Sequence, residues 1–148
     1  MKIGAIITGD IVDSTKMTAE ERATMLRMLQ SLPVLLSPLG KTDIEIFRGD
    51  SFQVKVAEPS KALHMALTIR AIIRANKFAG NNHQWDARMA IGIGTLDYET
   101  DLLSTSDGEA YRLSGKCLDS IGKGRLCIKT PWEDVNKELT VSTLFADD

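Results

Sequence analysis

The feature that most constrains the fold is a continuous apolar run near the start of the chain. Residues 2–9 include Ile3, Ala5, Ile6 and Ile7 and lack the polar alternation of a half-buried strand. Such a strand is expected to be covered on both faces. The run ends at Thr8-Gly9-Asp10, where a glycine lets something approach the backbone and a carboxylate follows at once. The same dipeptide recurs at Gly49-Asp50, between two alternating segments.

The remaining segments supply what would surround that strand. Thr18-Ala19-Glu20-Glu21 reads as a capping box opening a helix, with Met25, Leu29 and Leu32 on one side and a stop at Pro33. Ile44-Glu45-Ile46-Phe47 and Phe52-Gln53-Val54-Lys55-Val56 alternate as hairpin strands around the turn Arg48-Gly49-Asp50-Ser51. Pro59 can start a second helix, with Ala62, Leu63, Ala66, Leu67, Arg70 and Ile73 at helical spacing, running out near Gly80-Asn81-Asn82. Trp85, Ala87, Met89, Ile91 and Ile93 then alternate as a strand. Its other face, Asp86, Arg88, Ala90, Gly92 and Gly94, becomes nearly bare, which admits a ligand or another backbone.

After a polar loop from Asp97 to Thr105 with a Leu102-Leu103 patch, Ser106-Asp107-Gly108-Glu109 reads as a second capping box. The helix it opens would bury Ala110, Leu113, Cys117 and Ile121 and end at Gly122-Lys123-Gly124. Leu126-Cys127-Ile128 and Leu139 to Phe145 complete the order β-α-β-β-α-β-α-β-β. This is an α+β pattern: a ferredoxin-like βαββαβ core with an additional helix and strands. The expected layering is sheet on one side and helices on the other.

Residues 1–148 fit a single domain, with no composition shift to divide them. A net charge of −2 argues against a dedicated nucleic-acid binder. No apolar run approaches membrane-spanning length, and the N-terminus lacks a secretory pattern. Cys117 and Cys127 lack metal-ligand spacing, and His64 and His83 lie far off in sequence, so the cysteines read as reduced core thiols in a cytoplasmic protein. With histidines only at 64 and 83, no nucleophile–histidine set suggests itself.

Chemistry concentrates on the two Gly-Asp pairs. In a βαββαβ core the end of the first strand can lie beside the following hairpin, bringing Asp10 and Asp50 together. Two such carboxylates repel unless a divalent cation relieves them, and such a cation suits a bound polyphosphate. The plainer alternative is that each aspartate satisfies a turn. Backbone amides of the turn Val12-Asp13-Ser14-Thr15 could hold phosphate oxygens. Arg112 and Lys116, four apart on the third helix, share a face and could grip a phosphate chain; otherwise they are a solvated face. Gly115 between them suggests something packed closely against that helix. Arg88 reads as either a ligand residue or a partner of Asp86 or Glu99. Trp85 and Trp132 read as core or rim residues.

Four segments in order, Gly-Asp-Ile-Val-Asp-Ser-Thr (9–15), Arg-Gly-Asp-Ser-Phe-Gln (48–53), Arg-Met-Ala-Ile-Gly-Ile-Gly (88–94) and Ser-Asp-Gly-Glu-Ala-Tyr-Arg-Leu (106–113), resemble the SatD family. That bacterial family is related to the catalytic domain of class III nucleotidyl cyclases, and the resemblance covers nearly the whole chain. It implies a cyclase-like fold, a nucleoside triphosphate ligand with Mg²⁺ or Mn²⁺, and a homodimer with sites between subunits. By position it implies that Asp10 and Asp50 bind metal, with the Ile11 carbonyl touching it. Arg112 falls where cyclases keep a transition-state asparagine, Lys116 where they keep a phosphate-contacting arginine, and Thr105 near the base-selecting position. Ile46 stands where cyclases keep a purine-binding lysine. Two functions follow: a metal-dependent nucleotide enzyme, possible as a cyclase-type lyase, or a catalytically silent nucleotide- or phosphate-sensing module. Neither involves nucleic acid or membrane.

Overall fold

The computed structural model describes residues 2–76, 83–97, 102–103 and 106–136. Strands β1 (Ile3–Ile11), β2 (Thr42–Phe47), β3 (Ser51–Val56), β4 (Ala87–Thr95) and β5 (Leu126–Lys129) form one sheet in the order β2-β3-β1-β4-β5. β1 is central and lies antiparallel to both β3 and β4, and its unbroken apolar run is buried on both faces of the sheet. β2 pairs antiparallel with β3, and β5 extends the sheet parallel to β4. The helices are α1 (Ala19–Gln30), a short α2 (Leu32–Leu35), α3 (Ala62–Ala75) and α4 (Glu109–Ser120). The ferredoxin-like core is therefore β1 to β4 with α1 and α3, and α4 and β5 are the additions.

The helices are not confined to one side of the sheet. Ala5, Ile7 and Ile11 of β1 join Met25 and Leu29 of α1 and Met65 and Ile69 of α3 in the main core. Ile6 points the other way, into a second cluster with Leu103 and with Ala110 and Tyr111 of α4. The expected one-sided layering is thus corrected, and the bare face of β4 explains why. Gly92 and Gly94 let the α4 backbone lie directly on the strand: a Cβ on Gly92 would collide with the Ala110 carbonyl oxygen and meet the Ser114 amide nitrogen at 2.5 Å. A hydroxyl pair, Thr8 with Ser114 at 2.8 Å, bonds α4 to the middle of β1.

Local readings are adjusted in the same way. Thr18 and Glu21 form the expected capping box. α1 already ends at Gln30, and Pro33 lies in the first turn of α2, where its missing N–H costs nothing. Among the described residues α3 stops at Ala75 rather than near Gly80. α4 has Gly108 as its N-cap without a side-chain cap; Glu109 instead accepts from the Thr95 hydroxyl at 3.2 Å. Its buried face is Ala110, Tyr111, Ser114 and Cys117, rotated away from Leu113, which is half-buried. Cys117 and Cys127 are not separate thiols but a disulfide joining α4 to β5. The expected strand from Leu139 to Phe145 lies outside the described residues. Among the described residues no helix is long and apolar enough to cross a membrane.

Candidate functional site

Antiparallel pairing brings the two Gly-Asp motifs together. Asp10 sits opposite Ser51 in the β1–β3 register, and the Ile11 amide donates to the Asp50 carbonyl at 2.8 Å. Asp10, Ile11, Asp13, Ser14 and Asp50 consequently line one open cleft of about 520 Å³ at this end of the sheet. The Asp50 carboxylate accepts from the Ser14 hydroxyl at 2.8 Å and from the Ser51 hydroxyl at 3.5 Å. Both donors are neutral, so its charge is not paired by these bonds.

Asp10 is different. Arg88 lies directly across from it in the β1–β4 register, and its guanidinium forks onto both carboxylate oxygens at 3.0 and 2.8 Å. The hydrogen bond from Arg88 to Asp10, with the attraction of the carboxylate, pushes the Arg88 pKa above its ordinary value against the effect of burial. The pairing of Arg88 with Asp86 considered from sequence is thereby replaced, and Glu99 lies outside the described residues. Asp86 turns to the helix side, where Arg70 holds it at 2.9 and 3.0 Å and Arg74 at 2.9 Å, with Arg125 at 3.5 Å. Burial raises the Asp86 pKa, but the Arg70 hydrogen bond, the Ala87 amide and the charges of Arg70 and Arg74 outweigh it and hold the carboxyl below its usual value. The Asp86 carbonyl also accepts from the Val12 amide at 2.9 Å, so this residue anchors the floor beneath the 12–16 loop.

That loop reverses through Asp13, a non-glycine residue at φ 60°, into a single 3-10 turn over Ser14–Lys16. The Lys16 and Met17 amides close the turn onto the Asp13 and Ser14 carbonyls. The Asp13 carboxylate lies 3.8 Å from Lys16 and 3.9 Å from His83. Arg22 of α1 donates to the Ser14 carbonyl at 2.9 Å and ties the loop to the helix. Thr15 lies in the turn and does not line the cleft.

The other sequence candidates lie elsewhere. α4 runs from the far end of the sheet back to the cleft, which its C-terminal turn at Gly122 and Lys123 lines. Arg112 sits about ten residues earlier, roughly 15 Å along the helix. There it bonds Asp107 at 3.0 Å and approaches Asp97 at 3.8 Å. Arg112 and Lys116 are exposed, and neither lines the cleft of its own chain. Thr105 lies outside the described residues. Nothing within 4 Å of Gly115 accounts for that glycine inside the chain. The cleft instead gains Arg48, Lys123 and Arg125, which the sequence reading passed over. Their signal was positional: Arg48 precedes the second Gly-Asp, and Lys123 sits between two glycines after α4.

Among the described residues no three His, Cys, Asp or Glu side chains converge. The cleft offers a cation the carboxylates of Asp10, Asp13 and Asp50, and Arg88 already sets a positive charge on Asp10, which is the charge a cation would bring there. In that sense the residues fit a divalent ion that shares its coordination with a ligand.

No protein-family model and no curated protein matches the sequence. Solved structures match its fold. The chain is similar to an adenylate/guanylate cyclase/hydrolase from Silicibacter pomeroyi (18% identity, TM-score 0.63, covering 95% of this chain and 80% of that one). It is similar to the active GGEEF domain of a diguanylate cyclase from Vibrio cholerae (19%, TM-score 0.59, 86% and 83%). It is also similar to the catalytic core of a rhodopsin-guanylyl cyclase with converted specificity, solved in complex with ATPαS (15%, TM-score 0.58, 80% and 72%). The fold is that of nucleotidyl cyclase domains.

Proposed function

We propose that this chain binds a nucleoside triphosphate together with Mg²⁺ or Mn²⁺ in the Asp10/Asp50 cleft. The observation that carries this reading is the convergence of two carboxylates from separate motifs on one cleft, with a guanidinium already neutralising one of them. Asp10, Asp50 and the Ile11 carbonyl would hold the ion, which when bound would neutralise phosphate charge and polarise a phosphoryl oxygen. For that, Asp10 exchanges the Arg88 guanidinium for the ion, and Arg88, released but still at the cleft, turns to the phosphates. The amides of Asp13, Ser14 and Thr15 offer further donors to phosphate oxygens.

The resemblance to SatD and to class III cyclases supports a homodimer in which Arg112 and Lys116 reach the partner's cleft, since about 15 Å of helix separates Arg112 from its own. Thr105 would then face the base. One observation favours a silent or sensing module over a cyclase-type enzyme: Ile46, at the position of the purine-reading lysine, packs against the main core and offers no polar group to a base. The test is calorimetry with each of the four nucleoside triphosphates and Mn²⁺, followed by mass spectrometry of the mixtures. Binding that Asp10→Ala and Asp50→Ala each abolish is the expected result; a cyclic or cleaved product identifies an enzyme, and unchanged nucleotide a sensor. Binding indifferent to both substitutions refutes the reading, and sedimentation showing only monomer with nucleotide and metal present refutes the dimer.

A further inference from the structure

The cleft carries more positive charge than its carboxylates use. Three aspartates line it, Asp10, Asp13 and Asp50, against four cations, Arg48, Arg88, Lys123 and Arg125. Two of the cations have partners inside the chain: Arg88 holds Asp10 at 2.8 Å, and Arg125 lies 3.5 Å from Asp86. The side chains of Arg48 and Lys123 have no hydrogen bond or ion pair among the described residues. They approach from opposite walls, Arg48 from the β2–β3 turn and Lys123 from the turn between α4 and β5.

Left-handed backbone lies at or beside each of these residues. Arg48 and Gly49 have φ of 54° and 76°, and the Asp50 amide donates to the Phe47 carbonyl at 3.3 Å. This is a hairpin turn with two left-handed central residues, whose first position favours Asn, Asp or Gly. A bulky arginine there is strained, and strain of this kind gathers where a side chain has a task. Lys123 follows Gly122, left-handed at φ 61°, which swings the chain back over the cleft. Arg125 donates to the Lys123 carbonyl at 2.8 Å while lying 3.5 Å from the Asp86 carboxylate, so the turn leans on the residue whose backbone carbonyl anchors Val12.

We propose that Arg48 and Lys123 form a phosphate grip supplied by the same chain as Asp10 and Asp50, closing on the polyphosphate tail of the bound nucleotide. This rests on the function proposed above and names the charges that balance what one divalent ion leaves on a triphosphate. The cyclase resemblance assigns phosphate contact to Lys116 of a second subunit; the grip inferred here needs one subunit only. It reads the phosphates and not the base, so its ligand class is any metal-bound polyphosphate.

The probe is inorganic tripolyphosphate with Mn²⁺, compared by calorimetry with each Mn²⁺–nucleoside triphosphate. Arg48→Asn restores a favoured turn residue, so the denaturant midpoint should hold or rise while tripolyphosphate and nucleotide both bind about tenfold more weakly, as the loss of a charged hydrogen bond implies. Lys123→Gln should weaken both ligands by a similar factor. Intact binding in both variants, with loss in Lys116→Ala instead, overturns the grip while leaving the proposed function standing. A native chain that binds neither probe overturns both.

Discussion

Replacing Arg88 by Gln would remove the guanidinium from Asp10 while keeping the shape of the side chain. Two unit charges about 4 Å apart attract by about 4 kcal/mol at the effective dielectric of a protein surface. Here the side chains are 36% and 27% exposed, so that figure is reduced by solvent screening to about 1–2 kcal/mol for a forked Arg–carboxylate pair. In the native chain an incoming ion has to displace that pairing. In Arg88→Gln it does not, so Mn²⁺ alone should bind about tenfold more tightly, since 1.4 kcal/mol is a factor of ten. Without metal the variant should be less stable by about 1 kcal/mol at neutral pH, because Asp10 is left charged beside Asp50, and Mn²⁺ should restore the loss. The Mn²⁺–nucleotide complex should move the opposite way and bind more weakly, having lost a phosphate-facing cation. Titration of free Mn²⁺ by its paramagnetic resonance signal, denaturant unfolding, and calorimetry with the Mn²⁺–nucleotide complex measure the three quantities. If Arg88→Gln and Asp10→Asn both leave Mn²⁺ affinity at the native value, no ion is held at Asp10 and the reasoning fails.

Three further outcomes follow from the packing and the charges. Gly92→Ala drives a methyl into the α4 backbone and should destabilise the protein by about 3 kcal/mol or more by denaturant unfolding; a change within 0.5 kcal/mol, about the range of an exposed surface site, would mean α4 does not rest on β4. Gly115→Ala faces open space within the chain and should stabilise it by roughly 0.5–1 kcal/mol through helix propensity; a loss of stability that grows with protein concentration would reveal a partner packed on that face. Asp86 has a folded pKa below the 3.8 of an ordinary aspartate, so its contribution is complete above about pH 4 and fades as pH falls through the lowered value. Asp86→Asn should therefore be less stable than the native chain at pH 7, and the gap should narrow in acid; a gap that widens there contradicts the sign.

Some of the site was legible along the chain and some was not. Asp10 and Asp50 could be paired in advance because each follows a glycine at a strand end and a βαββαβ order makes those ends neighbours. Arg88 was on the correct face by its alternation with Met89, but alternation says nothing about which carboxylate lies across the next strand; the Asp10–Arg88 register decides that, and it sent Asp86 to α3 instead. Lys123 and Arg48 looked like turn punctuation because their place in the cleft depends on where two distant turns come to rest.

The sequence by itself determined what is local or periodic: a strand covered on both faces from the unbroken run at residues 3–7, the Thr18–Glu21 cap, the hairpin around Gly49, and a face at Gly92 and Gly94 too bare to meet ordinary side chains. Tertiary structure alone decided what met that face. The requirement for close approach was visible, but a ligand and a helix backbone satisfy it equally well. Only the return of α4 across β4 and β1 to bury Ile6 with Ala110 and Tyr111 chose the helix. The same return carries Arg112 to one end of the sheet and Lys123 to the other, because a helix of 12 residues is a rod of about 18 Å whose two ends cannot serve one cleft.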